Sequence, residues 1–394
     1  MSLRDLGYAL QDFGRVGLVM AKRAAAGWWA DERSVTPGMV SELVGRLHPE
    51  RIDVRVVDII PETHSTRTIR LAPVGEGFLP PFRAGQFVAL FLDIGGVRTS
   101  RPYSISSSPT QTGFIDITVR RMTPGFVSEF LNEHIAVGDR LQISGPAGSF
   151  CYEPLVDTDD LVFLAGGCGI TPFMSMIQHA ADIRADITMH LIYGNRTAGD
   201  VIFKDRLEAL ASSLRSLRMD IVISEPEDGY QGRTGLLDTK CIREYVADLR
   251  GKTFFVCGPH AMYDVCLQAL RDLGVPERRI KRELSGPLPD VTRAEGWPQE
   301  IDRGRRFTAR VESHGMPARA FEVASTEPLL VALERNGLIV DSLCRSGECG
   351  VCRVLLLEGK VFMPETVALR KADALFGYIH ACMAYPLSDV RIRL

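Results

Sequence analysis

The chain has 394 residues, more than one ordinary hydrophobic core organises, so two or three domains are expected. Its 46 Lys and Arg against 49 Asp and Glu leave a formal net charge of −3 with no basic run, which excludes a nucleic-acid partner. Nine cysteines are too few for a disulfide scaffold, no secretory leader is visible and no apolar run reaches about 18 residues; a cytoplasmic chain without a transmembrane segment is expected.

Residues 1–50 stand apart as an N-terminal extension. Leu10, Phe13, Val16, Met20 and Ala24 fall at roughly helical spacing ahead of Trp28 and Trp29, although Gly14, Gly17 and Gly27 weaken the helix. The plainer reading is a helical arm packed on its own protein. A docking element for a partner, or a peripheral membrane contact, is the alternative, and Lys22 with Arg23 supply only a small basic patch for it.

From Arg51 the pattern changes to short strands. Ile52, Val54 and Val56 alternate with polar residues, and Thr68–Leu71, Gln86–Phe91 and Ile115–Val119 continue the series between Gly and Pro clusters. Over 51–153 this predicts an antiparallel β-barrel, interrupted by one short helix from about Gly125 to His134. Over 154–286 the rhythm becomes strand–helix–strand, with apolar strands at Leu161–Ala165, Ile187–Tyr193, Met219–Ser224 and Thr253–Cys257. Helical stretches near 172–181, 203–214, 237–249 and 261–273 separate them, so a parallel α/β sheet covered on both faces is expected, with ligands at the carboxyl ends of its strands. Residues 287–305 carry Pro, Gly and charge without periodicity and read as a linker, and 306–394 form a small α+β unit.

Four segments have residue types suited to cofactor chemistry. Arg101-Pro102-Tyr103-Ser104 offers a guanidinium for a phosphate, an aromatic ring for a flat heterocycle and a hydroxyl for a ring nitrogen, although a polar strand end explains it equally well. Gly125 and Ser128 open the short helix, either as an ordinary cap or as an anion site. Gly166-Gly167-Cys168-Gly169-Ile170-Thr171-Pro172 follows an apolar strand; its glycines permit a tight turn and close backbone approach to a phosphate, and proline is tolerated in a first helical turn. Cys257-Gly258-Pro259 ends another strand, where Cys257 alone reads as a small buried residue.

Cys344, Cys349, Cys352 and Cys382 read C-x4-C-x2-C followed by a long gap and a fourth Cys, the ligand spacing of a plant-type [2Fe–2S] cluster. Three thiolates from one tight loop suit a compact cluster, and Gly347 and Gly350 let that loop take strained dihedrals. Zinc is the alternative for four cysteines, but zinc motifs usually pair C-x2-C with a second close pair.

The cysteine loop resembles that of plant-type ferredoxins, and Ala381-Cys382 with Pro386 and Asp389 resembles their closing segment. The Arg101 and Gly125 segments, with Gly145-Pro146-Ala147-Gly148-Ser149-Phe150, resemble the flavin-binding barrel of the ferredoxin–NADP reductase family. The Gly166 turn and Cys257-Gly258-Pro259 resemble its pyridine-nucleotide elements, Cys168 standing where Thr is common. The whole, over about 51–394, resembles the oxygenase-reductase type with a C-terminal, β-grasp-like ferredoxin domain.

That resemblance implies FAD, with FMN as alternative, a [2Fe–2S] cluster bound by the four cysteines, and NADH, with NADPH as alternative. Arg101 would contact flavin phosphate, Tyr103 and Ser104 the isoalloxazine, and Gly125 and Ser128 the pyrophosphate. Gly166, Gly167, Gly169, Thr171 and Pro172 would hold the nucleotide. Ser104 and Cys257 are the candidate catalytic residues, Cys257 with Gly258 and Pro259 shaping the hydride-transfer pocket rather than acting as a nucleophile. Glu283 falls where relatives place an acidic or aromatic residue near the flavin. Arg196, after the second strand of the α/β part, would accept the 2′-phosphate of NADPH or stand as a solvated loop charge.

Electrons would pass from NADH through flavin to the cluster and on to a separate protein such as a Rieske-type oxygenase, demethylase or desaturase. A polar docking face is expected around the cluster loop, with Arg345 and Glu348 exposed. Two other classes stay open: a self-sufficient NADH dehydrogenase for a small diffusible acceptor, and a redox-sensing or zinc-bound interaction module.

Overall fold

The computed structural model describes residues 51–394 apart from 76, 284, 285 and 314; the helical arm expected over 1–50 lies outside the described residues. Three principal sheets follow one another along the chain, as expected. The first holds β1 (Ile52–Thr63), β2 (Thr66–Pro73), β3 (Phe87–Ile94), β4 (Val97–Ser104), β5 (Ile115–Arg120) and β6 (Arg140–Ile143), in the order β4-β3-β6-β1-β2-β5. Ile52, Val54 and Val56 alternate inward along β1 because a pleated strand sends successive side chains to opposite faces. Ile105, the residue after β4, bridges to Ile117 of β5, which closes the sheet toward a barrel. The short helix α1 (Phe126–Glu133) follows β5.

The second sheet is parallel throughout: β7 (Asp160–Gly166), β8 (Thr188–Asn195), β9 (Leu217–Ile223), β10 (Arg233–Thr234), β11 (Thr253–Cys257) and β12 (Ile280–Glu283), in the order β10-β9-β8-β7-β11-β12. Helices α2 (Thr171–Asp182), α3 (Lys204–Ser213), α4 (Thr239–Tyr245) and α5 (His260–Asp272) form its connections, close to the expected bounds except that α4 is shorter than the expected 237–249. Strands covered on both faces need no polar alternation, and Leu161 to Ala165 are all buried. Phe163 stacks on Phe173 of α2 at 4.9 Å and meets Phe255 of β11 edge-on at 5.6 Å, which fixes α2 against the sheet.

The third sheet holds β13 (Arg306–Ser313), β14 (Met316–Ala324), β15 (Arg353–Glu358), β17 (Tyr378–His380) and β19 (Val390–Arg393), in the order β14-β13-β19-β15-β17, with β16 (Val361–Phe362) paired to β18 (Tyr385–Pro386). Helix α6 (Leu329–Arg335) buries Leu329, Leu330, Ala332 and Leu333 in its core, and α7 (Lys371–Leu375) precedes β17. By compactness the chain divides into two units. Of the described residues, one comprises those up to Phe87 with Ser104–Arg140 and Ser149–Glu283; the other comprises Val88–Tyr103, Leu141–Gly148 and those from 286 to 394.

Candidate functional site

In the first unit the glycine-rich turn forms as expected. Strand β7 ends at Gly166, a tight turn runs over Gly167–Ile170, and α2 starts at Thr171 with Pro172 in its first turn and no side-chain cap. Gly167 sits at φ +50°, a conformation glycine adopts cheaply. A Cβ on Gly169 would fall 2.2 Å from the Cys257 carbonyl oxygen, and one on Gly166 2.4 Å from Met262 Sδ. The turn after β7 and the turn after β11 therefore pack backbone to backbone, with no room for a side chain between them. Thr171 Oγ1 donates to the Cys168 carbonyl at 3.0 Å, and the Tyr193 hydroxyl donates to the Gly167 carbonyl at 2.9 Å, so the turn is braced from both sides.

Ser104 Oγ donates to Glu283 Oε2 at 3.3 Å. Glu283 pairs across the parallel ladder with Cys257, which places Ser104, Glu283 and Cys257 in one group at the carboxyl ends of β11 and β12. Burial, reinforced by the Glu283 charge, pushes the Cys257 thiol well above its ordinary value. Such a thiol stays protonated and is a poor nucleophile. Gly258 and Pro259 lead into α5, and a Cβ on Gly258 would meet Met262 Cε at 2.6 Å.

Gly125 is the N-cap of α1 and makes no side-chain cap bond; a Cβ there would lie 2.2 Å from the Met122 carbonyl. The Ser128 hydroxyl accepts from the Met122 N–H at 3.1 Å, so it closes the preceding turn rather than capping its own helix. At the end of β8, Asn195 is buried with its side chain beside the Tyr193 hydroxyl. Arg196 is half-exposed, its Nε 3.8 Å from Glu225 and 3.9 Å from Asp200.

In the second unit Arg101 and Tyr103 lie on β4. Among the described residues Arg101 uses only Nη1, donating to Thr99 Oγ1 at 2.6 Å and the Ser100 carbonyl at 2.7 Å. Burial and the neighbouring Arg345 charge pull it down to about 10, Glu334 opposing them. The four cysteines come together as two pairs. Cys344 acts on Cys349, and Cys352 on Cys382. In each pair one thiol is held low by its neighbour and the other is pushed up.

Four thiols grouped in this way fit a [2Fe–2S] cluster, which Cys344, Cys349, Cys352 and Cys382 would hold as thiolates. Among the described residues no three His, Cys, Asp or Glu side chains close around a single ion. Gly347 and Gly350 have φ +83° and +70°, as the loop requires, and the Cys349 N–H points to Cys344 Sγ at 3.3 Å. His380 Nδ1 lies 2.8 Å from the Gly347 carbonyl and braces the loop from β17.

The family model for an oxidoreductase FAD-binding domain matches residues 53–152, that for an oxidoreductase NAD-binding domain 163–268, and that for a 2Fe-2S iron-sulfur cluster binding domain 314–387. The chain is 31% identical over 356 residues to the glycine betaine monooxygenase reductase subunit of Chromohalobacter salexigens, covering 87% of this chain and 95% of that protein. The chain belongs to the ferredoxin–NADP reductase superfamily. It is of the oxygenase-reductase type, an oxidoreductase with FAD-binding, NAD-binding and 2Fe-2S domains. Another relative is the NADH oxidoreductase HCR of Escherichia coli, 32% identical, covering 79% of this chain and 88% of that one. The fold of phthalate dioxygenase reductase is similar, with TM-score 0.64 over 87% of this chain and 98% of that one at 21% identity.

One expectation for this superfamily member is corrected. Arg345, expected on an exposed docking face, is 4% exposed, because its guanidinium is consumed by an ion pair with Glu334 at 2.7 Å. Glu348 is exposed, as expected. Thr99 and Ser100 carried no signal in the sequence, since their partners Glu334 and Ser342 lie more than two hundred positions away. No helix among the described residues is long and apolar enough to cross a membrane.

Proposed function

We propose that this reductase takes electrons from NADH and delivers them to a separate oxygenase or demethylase protein. The observation that carries the reading is the order of the three cofactor domains along one chain, shared over nearly full length with an oxygenase reductase subunit. When bound, the nicotinamide supplies a hydride, the flavin splits the electron pair and the cluster passes single electrons outward.

The chain's own residues bind and orient. Arg101 directs its unused Nε and Nη2 donors to flavin phosphate, Tyr103 and Ser104 hold the isoalloxazine, and Gly125 and Ser128 receive the pyrophosphate. Gly166, Gly167, Gly169, Thr171 and Pro172 cradle the nucleotide. Cys257, kept neutral, walls the hydride-transfer pocket with Gly258 and Pro259, and Ser104 is fixed by Glu283. Cys344, Cys349, Cys352 and Cys382 ligate the two irons.

NADH is preferred because Glu225 and Asp200 occupy the charge of Arg196 and repel a 2′-phosphate. The domains run 51–153, 154–286 and 306–394, with 287–305 connecting the last two. A reducing cytoplasm suits nine cysteines of which none is in a disulfide.

The test begins with the absorption spectrum and metal content of the purified protein. Flavin and iron–sulfur bands, both bleached by NADH, support the reading; zinc without iron overturns it. Fast turnover on a small quinone with no partner protein present would favour a self-sufficient dehydrogenase instead.

A further inference from the structure

Arg345 directly follows a cluster cysteine and holds φ +54°, a conformation that is strained for a residue with a side chain. What keeps it there is a clamp built from β4 and α6. Its Nη1 donates to Glu334 Oε1 at 2.7 Å and to the Ser100 carbonyl at 2.8 Å, and its Nη2 to Glu334 Oε2 at 2.8 Å. Glu334 Oε2 also accepts from the Thr99 hydroxyl at 3.1 Å. Ser100 Oγ meets Ser342 Oγ at 2.8 Å and donates to the Ser342 carbonyl at 3.1 Å, so both ends of the 342–345 segment are tied to the same strand.

Arg101 uses the same two acceptors. The Ser100 carbonyl takes bonds from both guanidiniums, and so does Thr99 Oγ1, at 2.6 Å from Arg101 and 3.3 Å from Arg345. Two cations therefore share one carboxylate, and the group carries one positive charge in excess. Arg101 Nε and Nη2 make no hydrogen bond within the described residues, so that excess is presented on donors ready for an anion.

We propose that Glu334 and Arg345 are positioning residues that set the charge balance at Arg101 and so couple flavin binding to the cluster loop. The inference rests on the reading of Arg101 as a flavin-phosphate ligand. A bound phosphate adds the second negative charge and relieves the repulsion between the guanidiniums, which tightens the clamp on Ser342 and Arg345. By linkage, a loop held in place favours the flavin to the same degree.

The test uses the full chain carrying its cluster, stripped of flavin and titrated with FAD. In the wild type, adding FAD should shift the electron paramagnetic resonance and visible circular dichroism of the cluster. Arg345→Gln frees Glu334 to neutralise Arg101, so FAD affinity should fall about tenfold; Glu334→Gln leaves both cations unopposed, and the added positive charge outweighs the loosened loop, so affinity should rise by a similar factor. The double variant restores the single excess charge and should return near the wild-type affinity. A merely structural role predicts weakening in both single variants.

Cluster signals indifferent to FAD, or single variants that move together, overturn the proposal. If Glu334→Gln fails to fold, the wild-type spectra with Arg345→Gln still decide. Protein that binds FAD and iron independently refutes only this coupling, whereas protein that binds neither refutes the reading of function beneath it.

Discussion

Ser104 and Glu283, 179 positions apart, meet through a 3.3 Å hydrogen bond, and Glu283 stands opposite Cys257 on the neighbouring strand. The bond fixes one hydroxyl rotamer at the end of β4's strand, and orientation of this kind is worth more to a transfer step than to ground-state binding. Compared at equal flavin content, Ser104→Ala should slow flavin reduction by NADH about ten- to a hundredfold, and Glu283→Gln should slow it less. Stopped-flow absorbance at the flavin band measures both; equal rates in wild type and Ser104→Ala would remove Ser104 from the reaction.

Gly169 tests the contact between the two turns. An alanine there would place Cβ 2.2 Å from the Cys257 carbonyl oxygen and 2.7 Å from Gly258 Cα, and backbone atoms do not yield as a flexible side chain does. Gly169→Ala should cost about 1–3 kcal/mol or more and raise KM for NADH. Gly113→Ala, with nothing within 4 Å of the added methyl, should be close to neutral. Thermal unfolding of the two variants makes the comparison.

The two halves of the molecule were unequally legible in the sequence. The α/β part announces itself because runs such as Leu161–Ala165, buried on both faces, must be continuously apolar, and its strand and helix bounds emerge within a few residues of those expected. The cysteines and the Gly-rich turn were legible because their chemistry fixes local spacing. The Arg345–Glu334 clamp was not, since it depends on β4 residues with no local pattern, and a charged residue beside a cluster is by default placed in solvent. The segment 287–305 has no periodicity either, yet Trp297 is 5% exposed, packed edge-on against Phe362 at 5.2 Å and Tyr385 at 6.5 Å. One aromatic residue that buries itself against distant partners leaves no periodic trace.

Asp200 gives a pH dependence of known sign. Burial alone would raise its carboxyl, but the Thr197 hydroxyl at 2.8 Å and the Arg120 charge at 3.0 Å hold it below the ordinary value. A depressed folded-state value stabilises the fold above about pH 4, where the unfolded carboxyl ionises, and that stability is lost as pH falls through the folded value. Asp200→Asn should therefore cost about 1–3 kcal/mol at neutral pH and progressively less below pH ~4. The difference between the two thermal-unfolding profiles isolates Asp200, because acid sensitivity elsewhere in the chain is common to both. A difference independent of pH would show that the carboxylate charge contributes nothing.

Coenzyme choice turns on Arg196. Its guanidinium lies 3.8 Å from Glu225 and 3.9 Å from Asp200, and it is exposed enough to change partners. Asp200 is already engaged by Thr197 and Arg120, which leaves Glu225 as the removable carboxylate. In Glu225→Gln, Arg196 is released toward an incoming 2′-phosphate and one repelling charge disappears. The ratio of kcat/KM for NADPH to that for NADH should rise about tenfold, mostly through KM for NADPH, since exposed charge pairs contribute about 1 kcal/mol or less each and two such effects act together. Arg196→Ala made in the Glu225→Gln background should return the ratio toward its starting value. An unchanged ratio in Glu225→Gln would mean that the ribose lies elsewhere, and the preference for NADH would then need another cause.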